Sequence, residues 1–366
     1  MTLYPKLILD ALSKVSYPGN GKSLTENNMV EDNLRIDGMN VSFSLVFEKS
    51  TDPFIKSVVK SAEATIHAFV SPDVNVAISV ASRQAARPEP GKMLPGVKNV
   101  IAVSSGKGGV GKSTVAANLA VALAREGYKV GLLDADIFGP SVPKMFHLEG
   151  TQIFMAQKDG RDLIIPAEKY GVQLLSIGFF VDANTATLWR GGMASNALKQ
   201  LIADADWGDL DYFILDTPPG TSDIHLTLLQ TLAITGAVIV STPQQVALAD
   251  ARKGIDMYRN EKVNVPILGL VENMAWFTPA EMPQNKYYIF GRDGVRDLAD
   301  EMDLPLLAQI PIVQSICSAG DSGEPAAVDA ESITGRAFTD LARAVVEQTE
   351  RRNSAQAPTQ IVHVTK

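Results

Sequence analysis

The sequence predicts an α/β protein: a mostly parallel sheet flanked by helices, preceded by a small α/β or α+β domain. Three observations carry this. From residue 99 onward, continuous apolar runs of strand length alternate with helical patterns, as strands buried on both faces do. A glycine-rich loop separates the first of these strands from the first helix. Residues 81–97 hold Arg83, Arg87, Pro88, Glu89, Pro90, Gly91, Pro95 and Gly96, which is the composition of a linker.

Before that linker, residues 7–15 have helical spacing. Residues 29–36 and 40–47 read as strands, the second alternating Val41, Phe43, Leu45 and Phe47. Asp52-Pro53 opens a helix continued by residues 54–69, and residues 75–80 read as a closing strand. These elements make residues 1–80 one small domain. In residues 98–350 the strands fall at 99–104, 129–134, 172–177, 212–216, 237–241, 266–271 and 305–310. Helices are expected at 114–126, 194–205, 225–235, 247–260, 294–301 and 334–350, and residues 351–366 form a polar tail. No internal repeat is visible. At 366 residues with 46% apolar content, two domains with a sizeable core are expected.

Charge and cysteine usage narrow the function classes. The formal net charge is −8, which argues against phosphate-backbone binding as the main activity. Cys317 is the single cysteine, so no intrachain disulfide exists and a reducing compartment is expected. No stretch is apolar enough to span a bilayer, and the first six residues lack the apolar core of a signal peptide. A cytoplasmic location is expected. The four histidines are scattered without ligand spacing and read as structural.

Gly106-Lys107-Gly108-Gly109-Val110-Gly111-Lys112-Ser113 fits the phosphate-cradling pattern of a glycine, four residues, then Gly-Lys-Ser/Thr. The glycines let backbone N–H groups turn around a polyphosphate, Lys112 reaches the outer phosphates, and the Ser113 hydroxyl suits Mg²⁺. A strand before it and a helix after it complete an anion site. Asp134-Ala135-Asp136 ends the next strand. Those carboxylates suit the metal's water shell or an attacking water, with solvated strand-end carboxylates as the alternative. Asp216 ends the run 212–215 and precedes Thr217-Pro218-Pro219-Gly220, as a Mg²⁺-side carboxylate of a phosphoryl-transfer site would. An ordinary strand-to-turn aspartate is the bland reading. Gly220 would let backbone approach a γ-phosphate, with Thr221, Ser222 and Asp223 sensing its presence. In Glu272-Asn273-Met274, read as a strand end, Asn273 offers a donor and an acceptor suited to an adenine edge; a turn asparagine is the alternative. The Asn-Lys-x-Asp pattern of a guanine site is absent, because Asn285-Lys286 runs into Tyr287-Tyr288, so ATP is favoured over GTP.

With its second, early lysine at Lys107, the loop resembles the deviant Walker A class of P-loop NTPases, which includes MinD, ParA and the nitrogenase iron protein. More finely, the chain resembles the Mrp/ApbC family of iron–sulfur cluster carrier ATPases. The matching text is residues 106–114, 132–141, 216–223 and 271–274, together with Ile310-Pro311; residues 1–80 resemble the MIP18-type domain often fused ahead of this ATPase. The resemblance implies an Mg²⁺-ATP-dependent ATPase acting as a homodimer and delivering clusters to apo iron–sulfur client proteins or assembly factors. It implies that Lys107 reaches the partner's nucleotide, that Lys107, Lys112 and residues 106–114 contact phosphates, and that Ser113 and Asp216 serve Mg²⁺. It further implies that Asp136 orients water and that Asn273 and Pro311 belong to the nucleotide site.

One departure stands out. The family usually carries a Cys-x-x-Cys pair shortly after the Glu-Asn-Met segment, and residues 275–286 have no cysteine. A four-thiolate bridge between two chains is therefore out of reach; Cys317 reads first as a small buried hydrophobe, and a cluster would have to use two Cys317 thiols with oxygen ligands or small thiols. An adaptor that holds no cluster of its own is the alternative function. A positioning switch on membrane or DNA is disfavoured: Arg336, Arg343, Arg351 and Arg352 are interspersed with Asp340, Glu347 and Glu350.

Overall fold

The computed structural model describes residues 3–30, 33–47, 52–82, 93–137, 139–158, 160–180, 191–220, 223–279, 281–282, 284–313, 316, 320 and 322–361. Cys317, Thr221 and Ser222 lie outside them. The chain divides into two compact units, Met1–Arg87 and Pro88–Lys366.

In the first unit, helix α1 (Pro5–Leu12) precedes strands β1 (Arg35–Asp37) and β2 (Asn40–Phe47), helix α2 (Ile55–Phe69) and strand β3 (Asn75–Ser82). The sheet order is β1-β2-β3, with β2 and β3 parallel through the α2 crossover and β1 antiparallel. Phe43, Leu45 and Phe47 pack with Ile8, Leu12, Val58 and Ile66 in one core. Of the strand expected at 29–36, the described residues show an isolated bridge, Val30 to Leu45, and the short β1. Asn28 takes a positive φ of 50°, and the Asn33 side chain bonds Ser44 twice, donating to its Oγ and accepting from its backbone N. Asparagine in the left-handed region and side-chain bonding to backbone both compete with a ladder.

The second unit is built on an eight-stranded sheet. Its strands are β4 (Val97–Ser104), β5 (Val130–Asp134), β8 (Ala167–Lys169), β9 (Val172–Ser176), β10 (Leu210–Asp216), β11 (Gly236–Ser241), β12 (Ile267–Phe277) and β13 (Leu306–Ile312). The order is β13-β12-β11-β4-β10-β5-β9-β8, parallel except for the β8 edge. A separate antiparallel pair, β6 (Met155–Lys158) and β7 (Arg161–Ile164), lies outside it. Helices α3 (Lys112–Arg125), the short α4 (Val142–Met145) and α9 (Ile333–Ala355) pack on one face around Ile101, Val103, Leu119, Leu123, Val142, Phe338 and Leu341. On the other face, α5 (Gly191–Ala203), α6 (Asp223–Thr231), α7 (Gln245–Arg259) and α8 (Gly294–Glu301) pack around Ala102, Leu198, Leu228, Ile255 and Leu298. Successive residues of β4 feed opposite cores, which is why its sequence is apolar throughout.

The chain leaves β4 toward β5 on one side, while β10, inserted between them, leads to β11 on the other. The loop after β4 thus sits at the carboxyl edge where strand order reverses, the position at which such sheets take ligands. Several elements extend past their expected limits, α9 and β12 the furthest at their carboxyl ends. Helix α9 runs to Ala355, beyond 350. Strand β12 runs to Phe277, through a register irregularity between Asn273 and Phe277 and a positive φ of 57° at Met274. Asn273 is therefore inside a strand and not at its end.

Candidate functional site

The glycine loop joins β4 to α3. Gly109 and Gly111 have φ of 81° and 79°, a conformation that glycine adopts without penalty. Gly106 is required for a different reason: a Cβ there would lie 2.1 Å from both the carbonyl carbon and oxygen of Asp250 in α7. Three hydrogen bonds hold the loop. Ser105 Oγ donates to the Lys107 carbonyl (2.9 Å), Gly220 N donates to the Ser105 carbonyl (3.0 Å), and Asn273 Nδ2 donates to the Val110 carbonyl (2.8 Å).

Lys112 is the first residue of α3 and is buried. Its Nζ pairs with Asp216 Oδ1 and donates to Ser113 Oγ at 3.2 Å. Asp216 closes β10, is 0% exposed, and its Oδ2 is buried without a hydrogen-bond partner. That orphaned acceptor is costly in a dry site and is what a cation-binding carboxylate would present. The donor set of one hydroxyl and one carboxylate oxygen is the hard-oxygen chemistry Mg²⁺ takes.

Asp134 ends β5 in register with Asp216. It is fully buried and accepts from the backbone N of Asp136 (3.1 Å), Ser141 (3.2 Å) and Val142 (3.2 Å), and from Ser176 Oγ (3.0 Å). Burial first, then the Asp216 charge, pushes its carboxyl up to about 7. The two aspartates of the Asp-Ala-Asp segment therefore divide in role. Asp134 turns inward and shapes the loop, and Asp136 lines the cavity above it. That cavity, about 230 Å³, is bounded by Lys107, Lys112, Ser113, Asp136 and Pro219, with Gly108, Gly109, Gly111 and Thr114 completing the wall.

The structure gathers Gly108, Gly109, Gly111, Thr114, both lysines, Ser113 and Asp136 around one cavity, with Asp216 joined to it through Lys112, whereas Gly106 packs on α7 and Val110 is buried, neither lining it. Asn273 lies against the loop with its amide donor committed to Val110, and Pro311 is buried within β13. Glu272 is buried on the same strand and accepts from Val295 N in α8 and from Gln309 Nε2, both at 2.7 Å, so it is an anchor of β12. Ser176 and Glu272 escape sequence reasoning because their side-chain partners are distant in the chain. His225 also sits in this region, buried. Burial, then the charge of Lys112, holds its imidazole down at about 4, so it is neutral and leaves the lysine charge facing Asp216.

Among the described residues, no three His, Cys, Asp or Glu side chains converge into a metal-sized group, and no helix is long and apolar enough to cross a membrane.

Residues 96–346 match the family described as the NUBPL iron-transfer P-loop NTPase. The chain belongs to that family. Residues 6–80 match a second family, the iron-sulfur cluster assembly protein. An iron-sulfur cluster carrier protein of Synechocystis is 40% identical over 340 residues, covering 92% of this chain and 96% of the relative. One from Aquifex aeolicus is 48% identical over 264 residues, 71% of each chain. The mouse iron-sulfur cluster transfer protein NUBPL is 48% identical over 236 residues, 64% of this chain and 72% of the relative. Among solved structures, a nucleotide-binding protein from Archaeoglobus fulgidus in complex with ADP superposes with a TM-score of 0.57 at 36% identity, covering 68% of this chain and 94% of that one.

Proposed function

We propose that this chain binds and hydrolyses Mg²⁺-ATP as a homodimer and uses that cycle to carry iron–sulfur clusters to apo-proteins. The observation that carries the nucleotide half is the single cavity shared by Lys107, Lys112, Ser113 and Asp136 over the Lys112–Asp216 pair. The cargo half is supported by 40% identity to an iron-sulfur cluster carrier across 92% of the chain.

Ser113 and Asp216 would hold Mg²⁺, which when bound neutralises charge on phosphate oxygens. Lys112 exchanges its contact with Asp216 for phosphate, keeping a buried cation matched to an anion throughout. Lys107, on the cavity rim, adds positive charge to phosphates, in the dimer those of the partner's nucleotide. Asp136 orients the attacking water, held in place by the bond from its own backbone N to Asp134. Chemistry of this kind is positioning plus electrostatic stabilisation, which suits a slow switch.

A specific observation favours a second reading. With Cys317 alone, two chains supply two thiolates, not the four of a bridging cluster. A nucleotide-switched adaptor that docks clients without holding iron follows if those two thiolates do not suffice. Anaerobic reconstitution with iron and sulfide, with and without ATP, decides between them when iron is counted per chain in wild type and Cys317→Ser. Retained iron that Cys317→Ser loses supports carriage; no iron in any condition supports the adaptor. ATP turnover in wild type, abolished in Lys112→Ala, tests the nucleotide half separately.

A further inference from the structure

Asn273, whose amide suits an adenine edge, also commits a donor to the glycine loop. Asn273 is 7% exposed and its Nδ2 donates to the carbonyl of Val110, inside the glycine loop (2.8 Å). A second geometric fact joins the same two segments. A Cβ on Gly111 would lie 2.2 Å from Asn273 Nδ2, whereas the next neighbours are at 3.5 Å or more. The absence of a side chain at 111 is what admits the amide. The loop residue at φ 79° and the asparagine are thus fitted to each other, and Gly111 is also the cap from which α3 starts at Lys112.

The stretch of β12 that presents Asn273 is itself anchored. Glu272, one residue earlier, takes the N–H of Val295 at the start of α8 and the amide of Gln309 on β13. Successive strand residues face opposite ways, so β12 bonds α8 with one residue and the glycine loop with the next. At Met274 the backbone turns to positive φ and the register with β13 shifts.

From this geometry we infer that Asn273 is a positioning residue for the phosphate cradle. It fixes the Val110 carbonyl and, with it, the backbone of residues 109–112 that surrounds the phosphates. The inference rests on the phosphate-site reading above and deepens it, because it states which part of the nucleotide feels this residue. The polyphosphate feels it, whatever the base. Loss of a buried donor also leaves the Val110 carbonyl without its partner, and the loop is free to relax from the bound shape.

The test separates base from phosphate. Affinities of ATP, GTP and inorganic tripolyphosphate, each with Mg²⁺, are measured by calorimetry on the full chain for wild type, Asn273→Ala and Asn273→Asp. Asn273→Asp keeps the shape but turns the donor into an acceptor facing a carbonyl. Both variants are expected to weaken all three probes by a common factor of roughly tenfold, the cost of an orphaned buried group. Measurements are made well below the melting transition, with circular dichroism checking the fold. Loss of ATP affinity with tripolyphosphate binding unchanged overturns the inference and returns Asn273 to base recognition. Wild-type affinity in Asn273→Asp also overturns it, since the donated bond would then be idle. If wild type binds none of the three probes, the nucleotide reading itself fails, a result distinct from either.

A double-mutant cycle supplies a second readout for variants that fold poorly. Gly111→Ala is expected to cost far more melting temperature in wild type than in the Asn273→Ala background, where the 2.2 Å clash is gone. Additive costs overturn the fitted pair.

Discussion

The Lys112–Asp216 pair is the most demanding electrostatic feature of the site, and its removal tests the whole arrangement. Lys112 is 6% exposed and Asp216 0%, with Asp134, also 0% exposed, in register on the next strand. Lys112→Met leaves two buried carboxylates without their cation. Removing one member of a buried pair costs about 3–5 kcal/mol. At roughly 2–4 °C per kcal/mol for a unit of this size, melting of the full chain in EDTA should fall by about 6–20 °C. Lys112→Met combined with Asp216→Asn should recover part of that below about pH 7, because Asp134 is then the one buried carboxyl left without the lysine and it holds its proton there. The variant also has a pH signature. The Asp134 carboxyl is raised to about 7, so the folded state holds a proton that the unfolded state has already lost. That group's contribution makes stability fall as pH rises from about 4 to about 7 and leaves it level above. Lys112 is among the influences lowering this carboxyl, so its loss pushes Asp134 higher still. The single variant should therefore go on losing stability above pH 7, by up to ~1.4 kcal/mol per unit, and its gap from wild type should widen. Thermal melts at pH 6, 7 and 8 measure both effects. A single variant within ~1 kcal/mol of wild type, or a double variant no better than the single at pH 6, would show that the lysine does not compensate these carboxylates.

Three further outcomes follow from particular contacts. Asp136→Asn should keep ATP affinity and lower kcat by ~100-fold or more, since it touches the water and not the cradle; stopped turnover and equilibrium binding separate the two, and wild-type turnover removes Asp136 from the chemistry. Gly106→Ala should cost at least ~2 kcal/mol in urea unfolding, because the added Cβ meets the Asp250 backbone and no flexible side chain can yield. Glu272→Gln should cost about 1–3 kcal/mol in the same assay, because a second amide donor is set against Val295 N and Gln309; an unchanged midpoint would show that β12 is anchored otherwise.

The parallel sheet and its helices were legible because β4, β5, β10 and β11 are apolar on both faces, a pattern with few alternatives. The β6–β7 pair was passed over although Asp159-Gly160 in the sequence is a strong hairpin signal. Its strands carry exposed residues and no alternation that would mark a buried face. The antiparallel β8 edge hangs on positive φ at both Tyr170 and Gly171, and a tyrosine at such a position gives no warning. In the first unit, Asn28 and Asn33 undo a strand that apolar spacing alone would allow.

The same contrast runs through the site. The glycine loop, Lys107, Lys112 and Ser113 were legible because a phosphate cradle is a local object: its donors, charges and glycine conformations are written within eight residues. Asp134 and Asp136 were legible as a pair but not in their division of labour. Which one turns inward depends on Ser176 and the Ser141–Val142 backbone closing around Asp134, and on Asp216 arriving beside it. Asn273 marks the limit most sharply. Its amide chemistry suits a base edge, and nothing local distinguishes that partner from the Val110 carbonyl 163 residues away. That contact depends on the side-chain bonds that anchor Glu272 to α8 and Gln309, together with the missing Cβ of Gly111. Reading residue 111 only as a glycine that permits a turn misses half of its function, because the space it leaves is occupied.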